Sequence, residues 1–271
     1  MGIGLEIPVF GAEAASRAVE LGASRIELNA AGSYPDGGLT PSLEDLASVT
    51  HINAPVRIMI RPRGPPHEAH ARDFIYSNEE FEQMDADIRR FKETGLLNDA
   101  RGDGFVFGIL KETPQLTNEV HGRTNRCWVD KDRCWRLVET ARPFKTVFHR
   151  AFDEIVSCDD GISDLDERDA WSTALDDLVA CGFDAILTSG GIGHAASNIS
   201  MLDKIITRAE SLGIEIIVGG GVRKHNVGEL SQRLKLSQRE QSTFVHSACL
   251  SNAKSEHIDA DEVAGILSEL G

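Results

Sequence analysis

Lys145-Thr146-Val147-Phe148-His149-Arg150-Ala151-Phe152-Asp153 is the stretch around which the rest of the chain can be arranged. It begins as a short β-branched and aromatic run, which is typical of a strand. It ends by placing an imidazole, a guanidinium and a carboxylate within five residues. Because a buried strand does not by itself need three such groups at its end, the stretch predicts a strand that delivers His149 and Asp153 to a functional site.

Outward from residues 145–150, the same unit of strand, loop and helix recurs in both directions. Helix signals separate the strands, such as a Ser77 or Asn78 cap and a Gly95 stop. The eight predicted strands cover residues 5–9, 25–29, 56–60, 105–110, 145–150, 184–188, 215–218 and 243–246. Strict alternation of eight strands with helices predicts an α/β architecture closed as a (β/α)₈ TIM barrel.

The chain length agrees with that architecture. A chain of 271 residues has the usual size of one (β/α)₈ barrel, so we expect a single domain over residues 1–271. Two segments depart from the regular pattern. A long connection follows the fourth strand, at about residues 111–128, and has the length of a lid or an insertion. An acidic loop follows the fifth strand at residues 153–169, where a solvated loop is a simpler interpretation than a cation site.

The composition excludes several classes of partner. The net charge is −15, from 28 Lys and Arg against 43 Asp and Glu, and this balance repels nucleic acid and anionic membranes. No apolar run approaches the roughly 18 residues of a membrane span, and residues 1–6 do not resemble a secretory signal. The five cysteines are scattered and odd in number, as expected of reduced thiols. We therefore expect a cytoplasmic protein that binds neither nucleic acid nor membranes.

Polar groups are concentrated at the ends of the predicted strands. In a parallel barrel these ends share one face, which holds the active site of TIM-barrel enzymes. The candidate catalytic residues on that face are Glu27, His149 and Asp153. Burial would raise the pKa of Glu27 and Arg61 would lower it, and either outcome makes Glu27 a candidate base. His149 is a candidate proton shuttle because an imidazole titrates near neutral pH.

Structural roles explain the same residues as simply. Glu27 could form an ion pair with Arg61 at the barrel mouth, and His149 could be a buried histidine whose hydrogen bonds are satisfied. Asp153 could orient the ring of His149 or pair with Arg150. The residues alone leave these alternatives open.

A second group of strand-end residues has the character of an anion site. Arg61 and Arg63 flank Pro62 and could clamp a carboxylate or a phosphate. The loops after the seventh and eighth strands are the usual phosphate site of this fold, because backbone N–H groups there face the ligand. The predicted anion-binding residues are Arg61, Arg63, Thr188, Ser189, Gly219, Gly220, Gly221 and Ser247. The alternative is that the glycines only permit tight turns.

Eight motifs occur in order along nearly the whole chain. They are Ile26-Glu27-Leu28, Gly37-Gly38-Leu39-Thr40-Pro41-Ser42, Met59-Ile60-Arg61-Pro62-Arg63, Phe107-Gly108, His149-Arg150-Ala151-Phe152-Asp153, Leu187-Thr188-Ser189-Gly190-Gly191, Gly219-Gly220-Gly221-Val222 and His246-Ser247-Ala248. Together they resemble the copper homeostasis protein CutC family. The resemblance implies a cytoplasmic TIM barrel that is associated with copper handling, binds Cu(I) and self-associates as a homo-oligomer.

The chain departs from that family at two positions. Many members carry cysteine where this chain has Pro8 and Asn29. Cu(I) prefers thiolate or thioether ligands, so Cys249 and Met59 are the remaining candidates at the mouth, and the sequence does not identify the metal ligands.

Two hypotheses therefore stand beside each other. The resemblance implies a Cu(I)-binding homeostasis protein. The residues favour an enzyme of isomerase or lyase type that acts on a small anionic, possibly phosphorylated, metabolite, with Glu27 and His149 moving protons beside a carbonyl.

Overall fold

The computed structural model describes residues 2–67, 71–112, 127–158, 169–239, 243–250 and 256–271. Its strands are β1 (Gly4–Phe10), β2 (Arg25–Asn29), β3 (Val56–Met59), β4 (Gly104–Phe107), β5 (Leu110–Glu112), β6 (Cys127–Val129), β7 (Lys145–Phe148), β8 (Ala185–Thr188), β9 (Glu215–Val218) and β10 (Phe244–His246). Its helices are α1 (Ala12–Glu20), α2 (Leu43–Ser48), α3 (Asn78–Glu93), α4 (Lys131–Ala141), α5 (Ala151–Ser157), α6 (Ala170–Cys181), α7 (Ile199–Leu212), α8 (Val227–Leu234) and α9 (Ala260–Leu270).

Eight parallel strands close into a barrel in the order β1-β10-β9-β8-β7-β4-β3-β2. The ring closes between the first and last strands, where Glu6 lies opposite His246. Helices lie between successive strands of the barrel along the chain. This arrangement confirms the predicted (β/α)₈ TIM barrel. None of the described helices combines the length and the apolar composition that a membrane crossing requires.

Two separate apolar clusters hold the barrel together. The larger cluster includes strand residues such as Ile7, Ile58 and Phe105 and the apolar faces of the helices. The smaller cluster is formed by Met59, Val106, Val147, Ala185, Leu187 and Ile217. Because side chains alternate between the two faces of a strand, the first cluster lies outside the ring and the second lies inside it.

Charged side chains share the barrel interior with the smaller cluster. Arg25 donates hydrogen bonds to Glu6 and, at 3.0 Å, to Glu215. Its guanidinium also lies 3.6 Å from the centre of the Phe244 ring. Glu6 bonds Nδ1 of His246 at 2.8 Å. These contacts connect β1, β2, β9 and β10 across the seam where the ring closes.

The connection after β4 contains a small sheet that the sequence did not predict. β5 pairs with β6 in antiparallel fashion, with Glu112 opposite Cys127. The fourth barrel strand therefore ends at Phe107 and not at residue 110, since Leu110 already belongs to β5. Residues 113–126 of the expected insertion lie outside the described residues.

The acidic segment begins with a helix and not with a loop. Asp153 and Glu154 lie in the first turn of α5, where carboxylates stabilise the positive end of the helix dipole. Residues 159–168 of the same segment lie outside the described residues. The sequence missed α5 because the density of acids in residues 153–169 indicated a loop.

The start of α2 also differs from the expectation. Thr40-Pro41 indicates a helix with proline at its first position, but α2 begins at Leu43. Ser42 caps it, because its hydroxyl accepts from the backbone of Asp45 while the Asp45 carboxylate accepts from the backbone of Ser42.

Candidate functional site

A cavity of about 510 Å³ lies at the C-terminal ends of the barrel strands. Glu27 from β2, Arg61 after β3 and His149 after β7 all line it. The ring of strands therefore brings together the three residues that the sequence placed on one face. Among the other predicted site residues, Asp153, Gly220, Gly221 and Ser247 also line the cavity, whereas Arg63, Thr188, Ser189 and Gly219 do not.

His149 is buried and presents a hydrogen-bond donor to the cavity. Its Nδ1 accepts from the backbone N–H of Ala151 at 3.2 Å, so the proton of the neutral ring resides on Nε2. Nε2 has no partner among the described residues. Burial and the positive charge of Arg61 lower the pKa of His149 to about 3. The ring is therefore neutral near pH 7, which suits hydrogen-bond donation better than the predicted proton shuttling.

The neighbours of His149 fix its ring. Gly108 lies beside it, and a Cβ at that position would be 2.8 Å from the imidazole. Phe74 covers the ring with a centroid distance of 4.6 Å and has a positive φ of 65°. Phe74 also lies 5.3 Å from the Arg61 guanidinium. A strained aromatic residue thus forms one wall of the cavity over two of its polar groups.

Glu27 is a buried carboxyl group with one oxygen left unpaired. Asn29 Nδ2 donates to Glu27 Oε1 at 3.2 Å, while Oε2 has no partner among the described residues. Burial raises the pKa of Glu27, and the positive charge of His246 opposes this only in part. The predicted ion pair between Glu27 and Arg61 is not among the contacts of the described residues.

Glu6 and His246 form a hydrogen-bonded pair close to Glu27. Burial would raise the pKa of Glu6, but Arg25 and His246 outweigh it and lower this pKa to about 2. Burial would lower the pKa of His246, but the hydrogen bond to Glu6 and the charge of Glu27 raise it. The cluster therefore combines an ionised Glu6 with two groups, Glu27 and His246, whose pKa values are both raised.

The two predicted clamp arginines are bound mainly to their own protein. Arg61 donates to the carbonyls of Asp36 and, at 3.0 Å, Gly38, and to Asp73 at 2.8 Å. Only its Nε lacks a partner among the described residues. Arg63 pairs with Glu80 at 2.7 Å. Both arginines thus anchor the loop that follows β3, and Arg61 alone faces the cavity.

Asp153 organises the loop after β8 and does not touch His149 in the described contacts. It accepts hydrogen bonds from the Thr188 hydroxyl at 2.5 Å and from the Ser189 hydroxyl at 2.7 Å. It also pairs with Arg150 at 2.7 Å, which is the second alternative that the sequence left open. The hydroxyl groups of Thr188 and Ser189 are therefore occupied, and their predicted anion binding stays a prediction.

Two of the glycines after β9, Gly220 and Gly221, line the cavity. Gly220 and Gly221 have positive φ values of 92° and 70°, which favour glycine. Within the described residues, neither of their N–H groups donates a hydrogen bond. The Ser247 hydroxyl nearby donates to the carbonyl of Val222 at 2.7 Å and is already used. The predicted anion binding by Gly219, Gly220, Gly221 and Ser247 therefore stays a prediction.

The mouth does not fit Cu(I). In the part of the chain that the structure describes, Glu6, Glu27 and His246 are the group whose ligand atoms approach within 4.8 Å of one another. Two of these three residues offer carboxylate oxygens, which are hard ligands, whereas Cu(I) prefers sulfur. Met59 lines the cavity with one buried thioether, but none of the lining residues is a cysteine.

Glu6 and Arg25 are the site residues that the sequence analysis missed. Both lie two positions before a residue at the mouth, Pro8 in β1 and Glu27 in β2. Side chains two apart on a strand share a face, so the same periodicity that directs Glu27 into the barrel directs these charges into it. A charged residue two positions before a predicted interior residue was therefore the sequence feature that could have identified Glu6 and Arg25.

The chain was then compared with known proteins. It matches the CutC family over residues 3–244. It is 35% identical over 224 residues to a human copper homeostasis protein cutC homolog, in an alignment that covers 82% of this chain and 67% of the human protein. The chain belongs to the CutC family. A CutC family protein of Treponema denticola is 34% identical over 245 residues, which cover 89% of this chain and 80% of that protein.

A solved structure agrees with this assignment. The CutC crystal structure from Streptococcus agalactiae, named for copper homeostasis, has a TM-score of 0.67 and 26% identity. The superposition covers 91% of this chain and 98% of that chain. The resemblance to CutC is thus confirmed. The names of these relatives favour copper homeostasis over the isomerase or lyase alternative.

We expect the neutral state of His149 to appear in the pH dependence of folding. The ordinary pKa of 6.5 falls to about 3 in the fold, so stability is present above pH 6.5 and is lost as the pH falls towards 3. Between pH 6.5 and about pH 5, this group should lower the free energy of unfolding by about 2 kcal/mol. In His149→Gln that contribution disappears. Urea unfolding at pH 6.5 and pH 5 measures the fall in the free energy of unfolding. An equal fall in the wild-type protein and in His149→Gln would contradict the neutral state of His149.

Proposed function

We propose that this CutC-family protein is a cytoplasmic copper homeostasis protein that binds Cu(I) and self-associates. The match to the CutC family over residues 3–244 carries the proposal. The chemistry of the chain supports it, because all five cysteines are buried thiols and none forms a disulfide. Thiolate sulfur is the ligand that Cu(I) prefers, and reduced thiols are typical of the cytosol.

Cu(I) titration tests the proposal directly. We expect stoichiometric binding when Cu(I) is added to the reduced protein without oxygen, in competition with a chromophoric Cu(I) chelator. Bovine albumin under the same conditions is the control for adventitious binding. Retention of copper no tighter than that of albumin would contradict the proposal.

A second candidate function rests on the barrel mouth. We infer that the cavity binds a small anionic molecule. Arg61 Nε and His149 Nε2 are buried donors that have no partner among the described residues, and Gly220 and Gly221 line the same cavity. A buried donor without a partner costs about 1–3 kcal/mol, which an oxygen-rich ligand would recover.

Inorganic phosphate is a suitable probe for the mouth. At about ten times its Kd, phosphate should raise the free energy of unfolding of the wild-type protein by about 1.4 kcal/mol. His149→Phe removes the donor but keeps an aromatic ring beside Phe74, and we expect phosphate binding about tenfold weaker. Isothermal titration calorimetry measures the phosphate affinity of each protein, and urea unfolding with and without phosphate measures the stabilisation.

The matched control is His51→Phe, because His51 is exposed and does not line the cavity. Equal phosphate affinity in His149→Phe and the wild-type protein would show that the donor does not bind the anion. If chloride at the same ionic strength stabilised the protein as much as phosphate does, the effect would be one of ionic strength alone.

A further inference from the structure

Two cysteines that the barrel mouth does not use lie against each other. Cys127 is the first residue of β6, and Cys158 caps the C-terminus of α5. Both side chains are buried, and their Sγ atoms are 3.7 Å apart. The distance exceeds a disulfide bond of about 2.05 Å, so the pair is a dithiol.

The fold brings these sulfurs together from distant parts of the chain. Cys127 is held by the pairing of β6 with β5, in which it lies opposite Glu112. Cys158 is placed by α5, which follows directly after His149 and Arg150. The pair therefore lies next to the site elements, while neither cysteine lines the mouth cavity.

The surroundings favour a thiolate on Cys158 and a thiol on Cys127, because their contact raises the pKa of Cys127. A hydrogen bond from the Cys127 thiol lowers the pKa of Cys158 to about 6, against the opposing effect of burial, and Arg72 lowers it further. Arg72 is itself held by Glu112 at 2.9 Å and by Glu154 at 2.8 Å. The thiolate is the form of cysteine that binds metals.

We propose that Cys127 and Cys158 form a Cu(I) site in which both sulfurs bind the same ion. This assignment rests on the proposed copper binding and locates it. A thiolate lies about 2.3 Å from a bound zinc ion, which has the same closed d shell as Cu(I), so sulfurs 3.7 Å apart reach one ion. Two buried soft ligands match Cu(I), whereas the oxygen and nitrogen groups of the mouth do not.

Within the part of the chain that the structure describes, the other three thiols contact oxygen atoms or backbone groups and not a second sulfur. Cys181, at the end of α6, donates to the carbonyl of Lys131 at 3.6 Å. Cys134 donates in the same way to Ile109 at 3.6 Å. Cys249 lies near the mouth, where its backbone N–H donates to the Ser247 hydroxyl at 3.3 Å. Among the described residues, Cys127 and Cys158 are the pair for which a sulfur–sulfur contact is found.

The test uses single substitutions and a complementary triple substitution. Cys127→Ala and Cys158→Ala each remove one sulfur without burying a hydroxyl, and Cys181→Ala is the matched control. The triple variant Cys134→Ala, Cys181→Ala, Cys249→Ala keeps only the proposed pair. Each protein is titrated with Cu(I), added as its acetonitrile complex, under argon with a phosphine reductant and a competing chelator. Near-UV circular dichroism checks folding.

We expect Cys127→Ala and Cys158→Ala each to weaken Cu(I) binding by at least the roughly 100-fold seen when outer partners of a metal site are lost. The control and the triple variant should bind one Cu(I) like the wild-type protein. Unchanged affinity in both single variants, or loss in the triple variant, would overturn the assignment. If the single variants do not fold, the triple variant still decides. Absence of binding by the wild-type protein would instead reject the proposed copper binding itself.

Discussion

The barrel depends on the matching of charges that are buried inside it. Arg25 is buried between Glu6 and Glu215, and Glu6 also binds His246. A charge in a protein interior costs several kcal/mol unless a partner with good geometry offsets it. Because these residues come from β1, β2, β9 and β10, the pairing favours one register at the seam where the ring closes.

The closed ring separates two kinds of ligand chemistry. Above the charge cluster, the mouth gathers oxygen and nitrogen groups, among them a neutral His149 and a Glu27 whose pKa is raised by burial. Beside it, the segment after β4 and helix α5 bring two sulfurs together. The hydrogen-bond donor of His149 suits an anion and the carboxyl group of Glu27 suits a proton, whereas the two sulfurs suit Cu(I). In the proposed account, the anion and Cu(I) therefore bind at separate places in this chain.

The sequence predicted the ring and its shared mouth because both follow from local patterns. Short apolar strands recur eight times with helix signals such as caps and glycine stops between them, and parallel strands then align Glu27, Arg61 and His149. The sequence could not predict which of the candidate polar groups are already hydrogen-bonded within the protein. The hydroxyls of Thr188 and Ser189 bind Asp153, and Arg63 binds Glu80, through contacts between distant loops. The sulfur pair, 31 residues apart, has no sequence signature either, because β5 and β6 were not predicted.

Equilibrium unfolding of Arg25→Met tests most directly whether matched interior charges hold the ring. The substitution keeps a long side chain but removes the guanidinium that Glu6 and Glu215 share. We expect the free energy of unfolding at pH 7 to fall by about 3–5 kcal/mol, and Arg233→Met, at an exposed pair with Glu229, to change it by less than about 1 kcal/mol. Replacing Glu6 by Gln in the same chain should restore part of the loss. A loss in Arg25→Met no larger than in Arg233→Met would contradict this account of the barrel.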